Sequence, residues 1–289
     1  MRSLLFVPGD SPKKLNKAMG SGADVMIVDL EDSVAGHAKA AARSTARSFL
    51  EEARHEKSRP LLYVRVNALP TGLTDADLDA VMHAAPDGIV LPKSMSGQHV
   101  QHLSAKLAVR EAENALDDGA TRIIAIATET AASIFHMGTY AGASRRLAGL
   151  TWGAEDLSAD IGAEAARTSK GNFTAPYMLA RTLALFAAGA AEVAAIDTIY
   201  PDFRSERGLK AECEAARRDG FVAKLAIHPA QLETINDMFT PSAAAISKAK
   251  AIVSAFADNP DAGVLGLNGE MLDRPHLKRA EAVLARAKK

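Results

Sequence analysis

The sequence predicts an α/β fold: a (β/α)8 barrel over residues 1–231, followed by a C-terminal helical lid over residues 232–289. Three observations carry this. Eight short apolar runs recur up to residue 227, each closed by polar or turn residues. Helical stretches separate most of them. After Ile227-His228-Pro229 the rhythm stops.

The apolar runs lie at 4–7, 25–29, 61–66, 88–91, 123–127, 147–152, 194–199 and 224–227. Their continuous apolarity is that of parallel strands buried on both faces beneath helices. Helical stretches fall at 13–21, 38–53, 73–84, 100–116, 177–188 and 209–219. Strand alternating with helix eight times is the pattern of a closed barrel. No Gly-x-Gly-x-x-Gly follows any strand, which counts against a doubly wound open sheet. Beyond residue 232 the chain reads as helices at 242–256 and 275–287. A loop rich in Asn, Asp and Gly, with a short apolar stretch at Val264-Leu265, joins them. This tail either caps its own barrel or serves as a lid on a neighbouring subunit.

With 289 residues, 48% of them hydrophobic and 24% charged, the chain has a soluble globular balance and length for one barrel. A net charge of −1 gives no global field toward nucleic acid or an anionic membrane, so neither partner is expected. An anionic ligand must then meet a local basic cluster. The single cysteine, Cys213, forms no intramolecular disulfide and sits in a helical pattern as a structural thiol, which fits a reducing, cytoplasmic setting. The opening MRSLLFVPGD has too short an apolar run for a signal peptide. No apolar stretch is long enough to span a bilayer.

Active sites of such barrels form where strands end and βα loops begin. There the sequence places Asp29, Glu31 and Asp32, then Arg65 and Asn67, Lys93, Glu129, Glu155 and Asp156, Asp197 to Asp202, and His228. A surface built for stability alone has no reason to gather carboxylates at one rim. Glu129 and Asp156 close consecutive strands, about 5 Å apart in a parallel sheet. Such a pair repels unless one member is protonated or a cation lies between them. Magnesium, which takes one or two protein carboxylates, suits the pair; helix capping or pairing with arginines is the other reading. Glu155 points elsewhere. Arg65 shares a strand face with Tyr63 and Asn67. It pairs with Glu31 or Asp32, grips a substrate carboxylate, or does both. Lys13 and Lys17 share a helix face, which either clamps the phosphates of a nucleotide-like cofactor or is simply solvated. His228, before Pro229, reads alone as a structural histidine.

An ordered set of motifs covers nearly the whole chain. It runs Arg2-Ser3-Leu4-Leu5-Phe6-Val7-Pro8-Gly9, Asp29-Leu30-Glu31-Asp32-Ser33-Val34, Arg65-Val66-Asn67, Leu91-Pro92-Lys93, Glu129-Thr130-Ala131 and Gly153-Ala154-Glu155-Asp156. It continues through Tyr200-Pro201-Asp202-Phe203-Arg204 and Ala226-Ile227-His228-Pro229 to Met271-Leu272-Asp273-Arg274-Pro275. The set resembles citrate lyase β-subunit-like proteins of the HpcH/HpaI aldolase group. That resemblance implies a barrel, usually a homotrimer, whose lid reaches an adjacent subunit. It implies Mg2+ on Glu129 and Asp156 and the acid substrate on Arg65. Substrate contact is also expected of Glu129, Glu155 and Asp156, with Asp29, Glu31 and Asp32 in support. Coenzyme A contacts fall on Phe6, Lys13, Lys17, Ile227 and His228, and Asp273 matches the catalytic aspartate.

The implied reaction is Mg2+-dependent cleavage of a citramalyl-CoA or malyl-CoA type of thioester to acetyl-CoA and pyruvate or glyoxylate. Hydrolysis of malyl-CoA, and citrate lyase chemistry on an acyl-carrier-protein thioester, are the alternatives. A pyruvate aldolase without coenzyme A fits the lysines and Asp273 poorly. Two departures from the family pattern bear on substrate identity: Thr128 stands where an apolar residue is common, and Ser133 where glycine is frequent.

Overall fold

The computed structural model describes residues 1–287; Lys288 and Lys289 lie outside the described residues. The chain forms two compact units, Met1–Ile235 and Asn236–Lys289.

In the first unit eight parallel strands close a barrel in sequence order. They are β1 (Ser3–Pro8), β2 (Val25–Asp29), β3 (Leu61–Arg65), β4 (Gly88–Leu91), β5 (Arg122–Ile126), β6 (Leu147–Thr151), β7 (Ala194–Asp197) and β8 (Ala223–Ala226). β8 returns to pair with β1, so the sheet has no edge. The helices are α1 (Pro12–Met19), α2 (Lys39–Ala53), α3 (Thr74–Val81), α4 (Gly97–Glu113), α5 (Ala131–Ile134), α6 (Glu155–Asp160), α7 (Ala175–Ala190), α8 (Glu206–Asp219) and α9 (Leu232–Phe239). Every residue of β2 and β4 is buried, as strands covered on both faces require.

Alternate residues of the strands fill the barrel. Leu4, Ile27, Tyr63, Val90, Ile124, Ile196 and Leu225 form its interior with their neighbours. Tyr63 occupies the space that a side chain on Gly88 of the adjacent strand would need, so a glycine is required there. One step up from this layer, the same alternation turns Phe6, Asp29 and Arg65 toward the mouth at the strands' C-terminal ends.

The second unit holds α10 (Ala243–Ala257), β9 (Val264–Leu267), β10 (Glu270–Asp273) and α11 (Arg274–Ala287). Its core is Ala249, Ile252, Phe256, Leu272 and Ala280. The sequence reading gave helices joined by a loop, and that expectation is corrected: β9 and β10 form an antiparallel hairpin. Asn268 at φ 52° and Gly269 at φ 82° make its two-residue turn, which needs positive φ at both positions. Among the described residues no helix is long and apolar enough to cross a membrane.

Candidate active site

The end of β2 and the loop after it carry three carboxylates, Asp29, Glu31 and Asp32, and neighbouring elements fix the loop's path. Lys39 Nζ donates to the Leu30 carbonyl at 2.7 Å and the Glu31 carbonyl at 2.6 Å. Asn67 Nδ2 donates to the Leu30 carbonyl at 3.0 Å and to Asp77 Oδ2 at 2.7 Å. Asp29 and Arg65 are register partners on β2 and β3. Their side chains meet in a two-point fork, Nε to Oδ1 at 2.7 Å and Nη2 to Oδ2 at 2.6 Å. The expected pairing of Arg65 with Glu31 is present, Nη1 lying 3.2 Å from Glu31 Oε2 and 3.9 Å from Asp32 Oδ2; the fork to Asp29 is a further partner that the sequence alone does not name. Phe6 underlies the guanidinium at 4.6 Å, a favourable cation–π geometry.

Lys93, after β4, is the hub that the sequence reading left without a role. Its ammonium reaches Glu31 Oε1 at 2.6 Å, Asp32 Oδ2 at 3.3 Å and Asp156 Oδ1 at 3.3 Å. Its backbone N–H donates to Glu129 Oε2 at 2.5 Å. That donation comes from a backbone at φ 48°, a strained position for a lysine. Glu129 lies beyond β5 and Asp156 in the first turn of α6, and both approach Lys93. A Cβ on Gly153 would stand 2.9 Å from Glu129 Cγ, so only glycine leaves room for this carboxylate. Thr128, the departure beside it, accepts the Gly153 N–H at 3.2 Å and ties the two loops together.

At the mouth, then, five carboxylates (Asp29, Glu31, Asp32, Glu129 and Asp156) are reached by two cations, Arg65 and Lys93, among the described residues. Burial, followed by the charges of Asp156 and Glu31, pushes the Glu129 carboxyl up to about 8 despite the Lys93 N–H. Burial pushes Glu31 to about 6 against the pull of Arg65 and Lys93. Glu31 Oε2 is buried with no hydrogen bond among the described residues. This hard, oxygen-only, electron-rich donor set fits a magnesium ion held by Glu129 and Asp156. Among the described residues no three His, Cys, Asp or Glu side chains converge as a closed metal cage, and magnesium needs none.

The other expected residues of the first unit take no part in this network of ion pairs among the described residues. Glu155 is exposed, and its side chain makes no hydrogen bond or ion pair with the cluster among the described residues. Lys13 and Lys17 are exposed on α1. Ile227 and His228 follow β8, which pairs with β1, the strand that leads into α1 and its two lysines. His228 stacks on Phe203 with ring centroids 4.5 Å apart, and its Nδ1 accepts the Ala230 N–H at 3.1 Å. Gln231 braces the turn by accepting the Ile227 N–H at 2.9 Å and donating to the Tyr200 carbonyl at 2.8 Å. In the second unit, Asp273 ends β10 and contacts His276.

Asp197 was expected at the rim and is corrected. Ile196 points into the barrel, so Asp197 points outward beneath the helices. It accepts from Lys224 Nζ at 2.7 Å and Trp152 Nε1 at 2.9 Å, with Arg181 Nε 3.5 Å away.

Residues 2–229 match the family described as HpcH/HpaI aldolase/citrate lyase, and residues 172–289 match C-C bond lyases of the TIM-barrel fold. The chain is 35% identical to the citrate lyase subunit beta of Haemophilus influenzae, covering 99% of this chain and 97% of that one. It is also 35% identical to a (3S)-malyl-CoA thioesterase of Cereibacter sphaeroides, covering 99% and 94%. A crystal structure of the protein CitE from Mycobacterium tuberculosis, in complex with magnesium, acetoacetate and coenzyme A, superposes with a TM-score of 0.77 at 30% identity, covering 100% of this chain and 98% of that one.

Proposed function

This chain belongs to the HpcH/HpaI aldolase/citrate lyase family of enzymes, and from that membership we propose that it is a magnesium-dependent carbon–carbon lyase. Its substrate is a coenzyme A thioester of a malyl or citramalyl type of hydroxy acid, and its products are acetyl-CoA and glyoxylate or pyruvate. The observation that carries the reading is the surplus of carboxylates over cations at the barrel mouth, with Glu129 pushed up to about 8. A site in that condition takes up positive charge. The magnesium and coenzyme A in the CitE complex support the choice of ligands.

Glu129 and Asp156 would hold the ion. When bound, Mg2+ supplies Lewis-acid chemistry, easing loss of the substrate hydroxyl proton and offsetting charge on its oxygens. Arg65 is already fixed through two nitrogens by Asp29. It meets the substrate carboxylate and stabilises developing charge, a contribution of about 3 kcal/mol for one well-placed donor. The hydroxyl carbon becomes a keto group as its bond to the acetyl carbon breaks, and the electron pair leaves as the acetyl-CoA enolate. The substrate hydroxyl proton passes to water, and Asp273, resupplied with a proton from solvent, gives one to that carbon in cleavage and takes one from it in condensation. Phe6, Lys13, Lys17, Ile227 and His228 hold coenzyme A. In the same proposal the assembly is a homotrimer in which Asp273 serves a neighbouring copy.

Hydrolysis of the thioester is the second reading, favoured by malyl-CoA thioesterases as similar to this chain as the citrate lyase β relative. A third assigns the chain to citrate lyase, acting on an acyl-carrier-protein thioester. One assay separates them: purified protein with Mg2+ and a panel of malyl-, methylmalyl- and citramalyl-CoA. Acetyl-CoA with a 2-keto acid is expected; free coenzyme A with the intact hydroxy acid means hydrolysis. Failure on every coenzyme A thioester, with turnover of a carrier-protein thioester, means the third. Asp273→Asn is expected to abolish turnover while leaving folding and Mg2+ binding intact, and normal activity in that variant rejects the role.

A further inference from the structure

The hairpin brings Asp273 to the start of α11, and one helical turn later the chain presents His276. The spacing i, i+3 puts the two side chains on one face. His276 Nδ1 contacts Asp273 Oδ1, and the same nitrogen lies 3.3 Å from the Asp273 backbone N–H. Asp273 thus stands where an N-cap stands, with the third helical residue reaching back to it, as in a capping box. The imidazole, however, has one Nδ1 for two partners. With the proton on Nδ1, the ring donates to the Asp273 carboxylate. With the proton on Oδ1, the carboxyl donates to the ring lone pair, which also faces the backbone N–H. Either way a single proton lies between the two groups, and Oδ2 is left to exchange a proton with a substrate carbon.

We infer that His276 is a positioning residue for Asp273, so that the tail supplies an aspartate–histidine pair and not a lone carboxylate. The inference rests on the reading of Asp273 as the acid/base group. Neighbouring groups within the second unit are engaged elsewhere or apolar. Val264 faces Asp273 across the hairpin. Glu270, the other carboxylate that feels His276, is paired with Lys248 of α10 at 2.7 Å. Arg274 Nη2 donates to the Pro260 carbonyl at 2.8 Å. The hydrogen bond from His276 holds the Asp273 carboxyl below the usual carboxylate range, more than offsetting slight burial. Asp273 and His276 are each about one-third exposed, so both remain open to solvent or a ligand.

The test uses the full chain with Mg2+ and the thioester that it turns over. His276→Ala is expected to lower kcat about tenfold or more, with KM for the thioester within about twofold. His276→Asn keeps an N–H near the Nδ1 position and should recover most of the loss. A 13C titration of the Asp273 carboxyl, assigned by its disappearance in Asp273→Asn, should move upward in His276→Ala. This reading does not depend on turnover, and it stays informative if the alanine variant is less stable. Wild-type kcat in His276→Ala, or an unmoved Asp273 titration, overturns the inference. So does equal loss in His276→Asn and His276→Ala. Activity retained in Asp273→Asn overturns the parent reading, whereas an inactive Asp273→Asn beside a normal His276→Ala overturns the histidine's role alone.

Discussion

Two clusters of charge in the barrel unit are built from the same residue types and end in opposite electrostatic states. Beneath the helices, Asp197, Glu212 and Asp219 are matched by Lys224, Arg181 and Arg167, with the exposed Arg218 at the edge. Burial pushes the Asp197 carboxyl up, but Lys224 and Arg181 more than offset it and hold it below the usual range. At the mouth, five carboxylates share Arg65 and Lys93. There the cations fall short, and Glu129 rises to about 8 and Glu31 to about 6. A balanced buried cluster is satisfied and joins sheet to helices. An unbalanced one is a site for a cation that the chain does not itself carry.

The comparison breaks most visibly in the balanced cluster. Lys224 is fully buried, so Lys224→Met strands Asp197 and should cost about 3–5 kcal/mol in a denaturant melt. Glu129→Gln tests the other side. It should lower kcat by about 10²–10³-fold without destabilising the metal-free fold, since it removes a charge already disfavoured there. A loss of stability like that of Lys224→Met would erase the distinction.

The pH dependence of the metal-free protein sharpens it further. The folded Glu129 carboxyl, at about 8, sits above its ordinary 4.5. Its contribution is therefore present below the ordinary value and is lost as pH rises through about 8. Stability should fall by on the order of 3–4 kcal/mol between pH 5 and 8. Glu129→Gln should flatten this slope, and Mg2+ should oppose it. Asp197, held low, acts in the opposite sense: its contribution is present above its ordinary value and is lost as pH falls further into acid. The smallest effect expected is that of Thr128→Val, about 1 kcal/mol for the lost acceptor of the Gly153 N–H, read by thermal melting.

The barrel was legible because strands buried on both faces must be continuously apolar, and β2 and β4 show this plainly. The hairpin was harder to see. Val264–Leu267 is short, carries Gly266 and is only partly buried, so its apolar signal is weak. Asn268-Gly269 was the available cue. The carboxylates of the mouth were legible as strand ends. The Asp29–Arg65 fork was legible only in part, because it depends on the register of β2 against β3. Strand alternation alone, followed from Ile196, would have turned Asp197 outward. The left-handed backbone of Lys93 leaves no mark in a sequence, and that conformation aims its N–H at Glu129.

Calorimetric titration of Mg2+ into the purified protein at pH 7, in buffers of different ionisation enthalpy, tests the central claim most directly. The expected result is saturation at one ion per chain, with release of roughly one proton as the Glu129 carboxyl ionises. Glu129→Gln and Asp156→Asn should each abolish that binding, and Asp273→Asn should keep it. Magnesium that binds the wild type and both mouth variants alike, or does not bind at all, would contradict the account.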